Sequence, residues 1–187
     1  SYGIAVAIGV LLGGLLGDVF GARAVFCLGV LFFSCGSALV AVADSYEVLI
    51  SGRVIQGFGG GVFSPLIPIL LTSSAPEKPG RILLVWGSIV GYVAAFAPVV
   101  YSNALDPGSW HIAFVILAVV SLGALLIVLR SYIGSVDTTR SNSEPDYAKL
   151  LRSGGLWLMF VYVFCTYGAI TYYLFKLPVL LVDSGYE

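Results

Sequence analysis

Charge is what this sequence most lacks. Its 187 residues include nine Lys or Arg, ten Asp or Glu and one His, so that 10% are charged while 59% are hydrophobic. A soluble globular domain carries about a quarter charged residues and about half apolar ones. Behind so few charges a water-exposed fold cannot hide this much hydrocarbon, and a bilayer is the solvent that suits a mean hydropathy of +1.01. The formal net charge of −1 leaves no basic surplus, which excludes a nucleic-acid partner. Cysteine is scarce too. Cys27, Cys35 and Cys165 are odd in number, each lies in an apolar run, and none has a His or a second Cys at ligand spacing. They read as small packing residues and imply no disulfide framework, metal or cofactor. His111 is the only histidine and no carboxylate lies deep in an apolar run, so no nucleophile–base pair is visible and a membrane-embedded enzyme is disfavoured.

What the chain does have is long apolar segments. A hydrocarbon core takes about 20 residues of helix to cross. Ala24–Ala43, Val48–Ser73, Ile82–Asn103, Ile112–Leu129 and Leu156–Val182 meet or approach that length. Ser1 leads at once into the apolar stretch Tyr2–Gly17, without the charged start of a secretory signal. That stretch reads as the end of a further span, and the sequence as a fragment open at both ends. The runs do not alternate polar and apolar residues as barrel strands do. The expected fold is therefore all-α, a polytopic bundle with six membrane helices represented.

Most connectors are short. Asp44–Glu47 and Ala104–Ser109 are tight turns, and Ser74–Arg81 holds Pro76, Glu77, Lys78, Pro79 and Arg81. The long exception is polar, running from Arg130 to Gly155 through Asp137, Arg140 and Glu144, and it predicts a linker. The expected organisation is a half-bundle over 1–130, a linker over 131–155 and the first helix of a second half-bundle over 156–187. Sidedness follows from the cations. Arg23, Lys78, Arg81, Arg130, Arg140, Lys149 and Arg152 fall on one side of the alternating spans, and Asp44, Glu47, Asp106, Asp183 and Glu187 on the other. The positive-inside rule puts the first group in the cytoplasm.

Two cations lie inside spans. Lys176 stands near the outer end of the last one, where a long side chain can snorkel to the interface. Arg53 is deeper, about seven residues or ~10 Å along its helix. Placing it there costs about 2.5–3.5 kcal/mol on insertion scales, which calls for a partner or a watery cavity. It is either bonded to a neighbouring helix's carbonyls or lies on a polar pathway, and Gln56, three residues on, shares its face. Small-residue stripes recur at Gly9, Gly13, Gly17 and Gly21, at Gly57 and Gly61, and at Gly87, Gly91 and Ala95, the pattern that lets backbones approach closely in lipid. Pro65 and Pro68, Pro98 and Pro178 each remove a helix hydrogen bond and predict bends.

Two local sequences narrow the class. Gly14-Leu15-Leu16-Gly17-Asp18-Val19-Phe20-Gly21-Ala22-Arg23 resembles the Gly-x-Leu-x-Asp-Arg-x-Gly-Arg-Lys signature of the major facilitator superfamily, found between that family's second and third helices. Arg53-Val54-Ile55-Gln56-Gly57-Phe58-Gly59 resembles the Arg-x-x-Gln-Gly-x-Gly signature of its fourth helix. One helix and one outer turn separate them, as in the family. Ser109-Trp110-His111-Ile112-Ala113-Phe114 is similar to the Trp-Arg-Trp-x-Phe segment opening the sixth helix of many drug exporters. The chain also departs from the pattern. Val19 and Ala22 replace usual cations, and Ala97-Pro98-Val99-Val100-Tyr101-Ser102 keeps the proline of the antiporter motif Gly-Pro-x-x-Gly-Gly but loses both closing glycines.

The resemblance implies a multi-pass plasma-membrane transporter, covering the end of family helix 2 to helix 7. It would move a small amphipathic molecule against protons by alternating access, with the remaining half of its own chain as partner. It assigns Arg53 and Gln56 to a proton-coupling cavity, and Gly14, Asp18, Gly21 and Arg23 to a cytoplasmic gate. Gly87, Gly91 and Pro98 would form a bending motif. Asp18, at a helix C-terminus where the macrodipole disfavours an anion, is expected to seek Arg23 or a helix N-terminus of the other half. Tyr162, Tyr167 and Tyr172 could offer aromatic surface to an apolar or cationic substrate. Uptake of a sugar, organic acid or siderophore is the alternative within the family.

Overall fold

The computed structural model describes residues 2–104, 109–130, 152–155, 157–158, 161–162, 165, 172 and 176. The chain falls into two compact units, Ser1–Thr139 and Arg140–Glu187. In the first, every described element is a helix: α1 Tyr2–Phe20, α2 Ala22–Ala41, α3 Tyr46–Phe63, α4 Leu66–Ser74, α5 Pro79–Ala104 and α6 Trp110–Arg130. Of the second unit, which contains the predicted span Leu156–Val182, the described residues after Ser153 are helical and exposed. The linker ahead of Arg152 lies outside the described residues.

Among the described residues four stretches are long and apolar enough to cross a membrane, Tyr2–Phe20, Ala22–Ala41, Tyr46–Ser74 and Trp110–Arg130, and α5 is apolar over Pro79–Val93. Each begins or ends where the chain gives a reason. A single residue, Gly21, joins α1 to α2 with φ +90°, a backbone conformation a side chain would strain. At the start of α3 the Ser45 hydroxyl accepts from the Val48 amide, and Glu47 sits in the first turn, where the helix dipole favours an anion. The third predicted span is interrupted at Ser64-Pro65, giving α3 and α4, because Pro65 brings no amide hydrogen to the ladder. Three cations expected in connectors are wound into helix ends instead: Arg23 in α2, Arg81 in α5 and Arg130 in the last turn of α6.

Helix α3 is the hub, packed against both α1 and α2, while α6 packs on α2 and α5 on α4. The contacts are made backbone to backbone. A Cβ at Gly61 would fall onto the Val6 carbonyl, and one at Gly13 onto the backbone of Val62, so α1 and α3 touch along the predicted small-residue stripe. Helix α2 meets α3 in the same way through Gly29 with Phe63 and Gly36 with Gln56. Beside Gly87 and Gly91 of α5 there is open space among the described residues, although the sequence repeat is the same. A small apolar core of Ala22, Val25, Val62 and Leu66 closes one end of the unit, flanked by Leu16, Phe26, Phe58 and Leu70. Large apolar side chains such as Ile4, Leu11, Leu84 and Ile127 point outward, as a bilayer permits and water does not.

Candidate functional site

Arg53 lies on α3, about 12 Å from the N-cap Ser45 at 1.5 Å per residue. Its guanidinium is half-buried and meets groups from three helices. On its own helix, Nη1 donates to Gln56 Oε1 at 2.7 Å. The guanidinium carbon stands 4.3 Å from the centre of the Tyr2 ring of α1 and 5.6 Å from that of Phe114 of α6. A cation over an aromatic face gains about 0.5–2 kcal/mol, more as water is removed. The two faces and one charge-assisted hydrogen bond together match the insertion cost of about 2.5–3.5 kcal/mol.

Behind Arg53 the polar contacts continue into the bundle. Gln56 is 2% exposed and Ser37 is fully buried. Gln56 Nε2 donates to Ser37 Oγ at 2.9 Å, and the Ser37 hydroxyl donates to the Phe33 carbonyl at 2.8 Å. No buried side-chain nitrogen or oxygen among the described residues lacks a partner. Arg53 and Gln56 thus touch directly, and the polar contacts run on from them to Ser37. Ser37, Tyr2 and Phe114 were missed. A serine inside an apolar span must still bond to something, so Ser34 and Ser37 carried a usable signal; nothing in the sequence tied Tyr2 or Phe114 to Arg53.

The predicted gate motif lies where α1 gives way to α2. Asp18 is exposed in the last turn of α1, and Gly14 has open space beside it. Arg23 reaches across to α6, where Nη2 donates to the Val128 carbonyl at 2.8 Å. A cation on the carbonyl end of a helix is favourably placed. Farther along, Ser34 Oγ donates to the Ala118 carbonyl at 3.0 Å, so α2 and α6 run antiparallel and are tied at two levels. Pro98 lies within α5. Tyr162 and Tyr172 are exposed in the second unit, and Tyr167 lies outside the described residues.

A separate concavity lies away from Arg53. A groove of about 400 Å³ is lined by Leu16, Phe20, Ala24, Val25, Leu28, Phe32, Phe58 and Val62. With only apolar walls it can take hydrocarbon but cannot orient a charge. No group of His, Cys, Asp or Glu fit to hold a metal occurs among the described residues.

Comparison with known proteins places this geometry in context. The profile of the Major Facilitator Superfamily matches residues 1–187. Multidrug resistance protein 3 of Bacillus subtilis is 33% identical over 161 residues, 86% of this chain and 31% of that protein. The Multidrug resistance protein B homolog of Mycobacterium tuberculosis is 33% identical over 152 residues, 81% of this chain and 28% of that protein. The Tetracenomycin C resistance and export protein of Streptomyces glaucescens is 30% identical over 127 residues, 67% of this chain and 24% of that protein. The matched part of the chain spans 24% to 31% of the length of these relatives. No solved structure matches it significantly.

Proposed function

The chain belongs to the Major Facilitator Superfamily, and from that premise we propose that its full-length protein exports small amphipathic molecules in exchange for protons. As a multi-pass protein of the plasma membrane it would work by alternating access, two half-bundles rocking about a central site. The relatives named for multidrug resistance and for drug export support the direction and the substrate class. The observation that carries the coupling role is Arg53, a cation inside a membrane span whose described partners are an amide oxygen and two ring faces.

The chemistry follows from those partners. A guanidinium stays charged at any physiological pH, so Arg53 does not itself carry the proton. It acts as a fixed positive charge that favours the ionised form of a carboxylate brought near it and so promotes proton release. When that carboxylate is protonated, the guanidinium falls back on Gln56, Tyr2 and Phe114. Asp18, Gly21 and Arg23 take the role of an inner gate, with Gly21 setting the turn and Arg23 fastening α2 to the end of α6.

The test is transport of ethidium by the full-length protein in proteoliposomes under an imposed pH gradient. Arg53→Ala is expected to lose gradient-driven transport at least roughly tenfold, the usual scale for removing a positioned charge. Gradient-driven transport at the wild-type rate in Arg53→Ala would refute the coupling role.

A further inference from the structure

We infer that Ser37 is a positioning residue for Arg53, acting through the side-chain amide of Gln56; the inference rests on the coupling role proposed for Arg53. The direction of each hydrogen bond carries it. A serine hydroxyl has one proton to give. Ser37 gives it to the Phe33 carbonyl at 2.8 Å, one turn back on α2. Its oxygen is left to Gln56 as an acceptor only, so the amide must turn its NH₂ toward Ser37, at 2.9 Å. The opposite end of the same planar group, Oε1, is thereby aimed at Arg53 Nη1, at 2.7 Å. A buried serine on one helix thus fixes which end of an amide on the next helix meets the cation.

Packing enforces the arrangement. Gly36 lies against the backbone of Gln56, where any Cβ would collide with the Gln56 amide nitrogen and Cα. That close approach of α2 to α3 brings Ser37 within bonding distance. Gln56 is 2% exposed and Ser37 is fully buried, so water cannot take the place of either partner. Without the Ser37 hydroxyl the amide would be held from one end only, by a guanidinium that disfavours the flipped form, donor against donor. The consequence falls on Arg53, whose acceptor would be less firmly placed beside the ring faces of Tyr2 and Phe114.

Nearby Ser34 provides a control of the same chemistry. It is also buried, at 6% exposure, but its hydroxyl ties α2 to the Ala118 carbonyl of α6 and is not in the chain to Arg53. The experiment compares Ser37→Ala, Gln56→Met, the double variant and Ser34→Ala in the full-length protein, with ethidium as the probe in proteoliposomes under a pH gradient. Ser37→Ala is expected to lower kcat roughly five- to tenfold, the effect of one buried hydrogen bond, while KM moves less than about twofold. Because Ser37 acts through Gln56, the double variant should match Gln56→Met within about twofold. Ser34→Ala should leave kcat within about twofold of wild type. If the Ser37 and Gln56 effects multiply, or if Ser34→Ala matches Ser37→Ala, the positioning role is overturned.

A second readout does not depend on transport. Gln56 is the only glutamine in this sequence, and its ¹⁵N side-chain resonance in glutamine-labelled full-length protein is assigned by its disappearance in Gln56→Met. In wild type those amide protons should exchange slowly with water, and in Ser37→Ala at least roughly tenfold faster. Unchanged exchange in Ser37→Ala would overturn the inference whatever the transport result. If Arg53→Ala keeps full gradient-driven transport, the coupling reading falls, and the amide spectrum still decides whether Ser37 orients Gln56. If Arg53→Ala loses transport and Ser37→Ala does not, only the inference fails.

Discussion

Inserting a single methyl between α1 and α3 tests the backbone contact on which the bundle rests. At Gly61 the added Cβ of alanine would collide with the Val6 carbonyl and lie 2.9 Å from Gly9 Cα and 2.9 Å from the Val10 amide nitrogen. All three are backbone atoms and cannot swing aside. Carbon atoms sit comfortably about 3.5–4.0 Å apart, so α1 must retreat by roughly 0.6–1 Å. A gap of that size forfeits about a quarter to a half of the dispersion energy along the contact, and overpacking of this kind costs about 1–3 kcal/mol. Against that stands the gain from replacing a helical glycine by alanine, about 0.5–1 kcal/mol. The net expectation for Gly61→Ala is a loss of about 1–2 kcal/mol. Gly123 of α6 has nothing within 4 Å, so Gly123→Ala should keep the gain without the clash. The helix gain is common to both, so the two variants should differ by the clash alone, about 1–3 kcal/mol, a factor of roughly five to 150 in the unfolding equilibrium. Reversible unfolding of the full-length protein in mixed detergent micelles measures the difference. Equal midpoints for Gly61→Ala and Gly123→Ala would refute the close contact.

Two further outcomes are expected. Arg23→Ala removes the donor to the Val128 carbonyl and should loosen the last turn of α6. Because Arg23 is only part-buried, the effect is expected at about 1 kcal/mol or less, read as faster amide exchange over residues 126–130. Sidedness is checked by cysteine labelling of intact cells after replacing Cys27, Cys35 and Cys165 by serine. A cysteine at Lys78 should stay silent to an impermeant reagent and one at Asp44 should react, and the reverse pattern would invert the topology.

The spans Tyr2–Phe20, Ala22–Ala41, Tyr46–Ser74 and Trp110–Arg130 were legible because their signal is length and hydrophobicity, which neighbours do not alter. Their ends were less so. Arg23, Arg81 and Arg130 read as loop residues by charge but are wound into helices, since a helix at a membrane surface continues past the hydrocarbon as long as its backbone bonds are made. The glycine stripes show how far periodicity reaches. Gly9 and Gly13 meet α3, while Gly87 and Gly91, at the same four-residue spacing, have open space beside them among the described residues. A repeat says that a close approach is possible and not which helix arrives. At the site, Arg53 and Gln56 stood out because a cation and an amide in an apolar run demand explanation. Tyr2, Ser37 and Phe114 lie on other helices, far away in sequence, and only the packing of α1 and α2 on α3, and of α6 on α2, brings them to the guanidinium or its amide partner.

That packing bears on why an arginine and an amide suit the proposed exchange better than an ion pair. A buried guanidinium bound to a carboxylate is expensive to separate, about 3–5 kcal/mol when one partner is left uncompensated. The partners of Arg53 are weaker singly: a neutral oxygen at 2.7 Å and two ring faces at 4.3 and 5.6 Å. Together they roughly offset the insertion cost of about 2.5–3.5 kcal/mol, so the cation is held without being locked. On the proposed reading, a carboxylate that approaches and ionises competes against contacts of about 0.5–3 kcal/mol each rather than against another charge. Gln56 keeps its carbonyl toward Arg53 throughout, because its other end is fastened to Ser37. The cation therefore has a neutral resting place to return to each time the carboxylate takes up a proton. Replacing Gln56 by glutamate would put a permanent anion in that place, and it should arrest exchange more completely than Gln56→Met does.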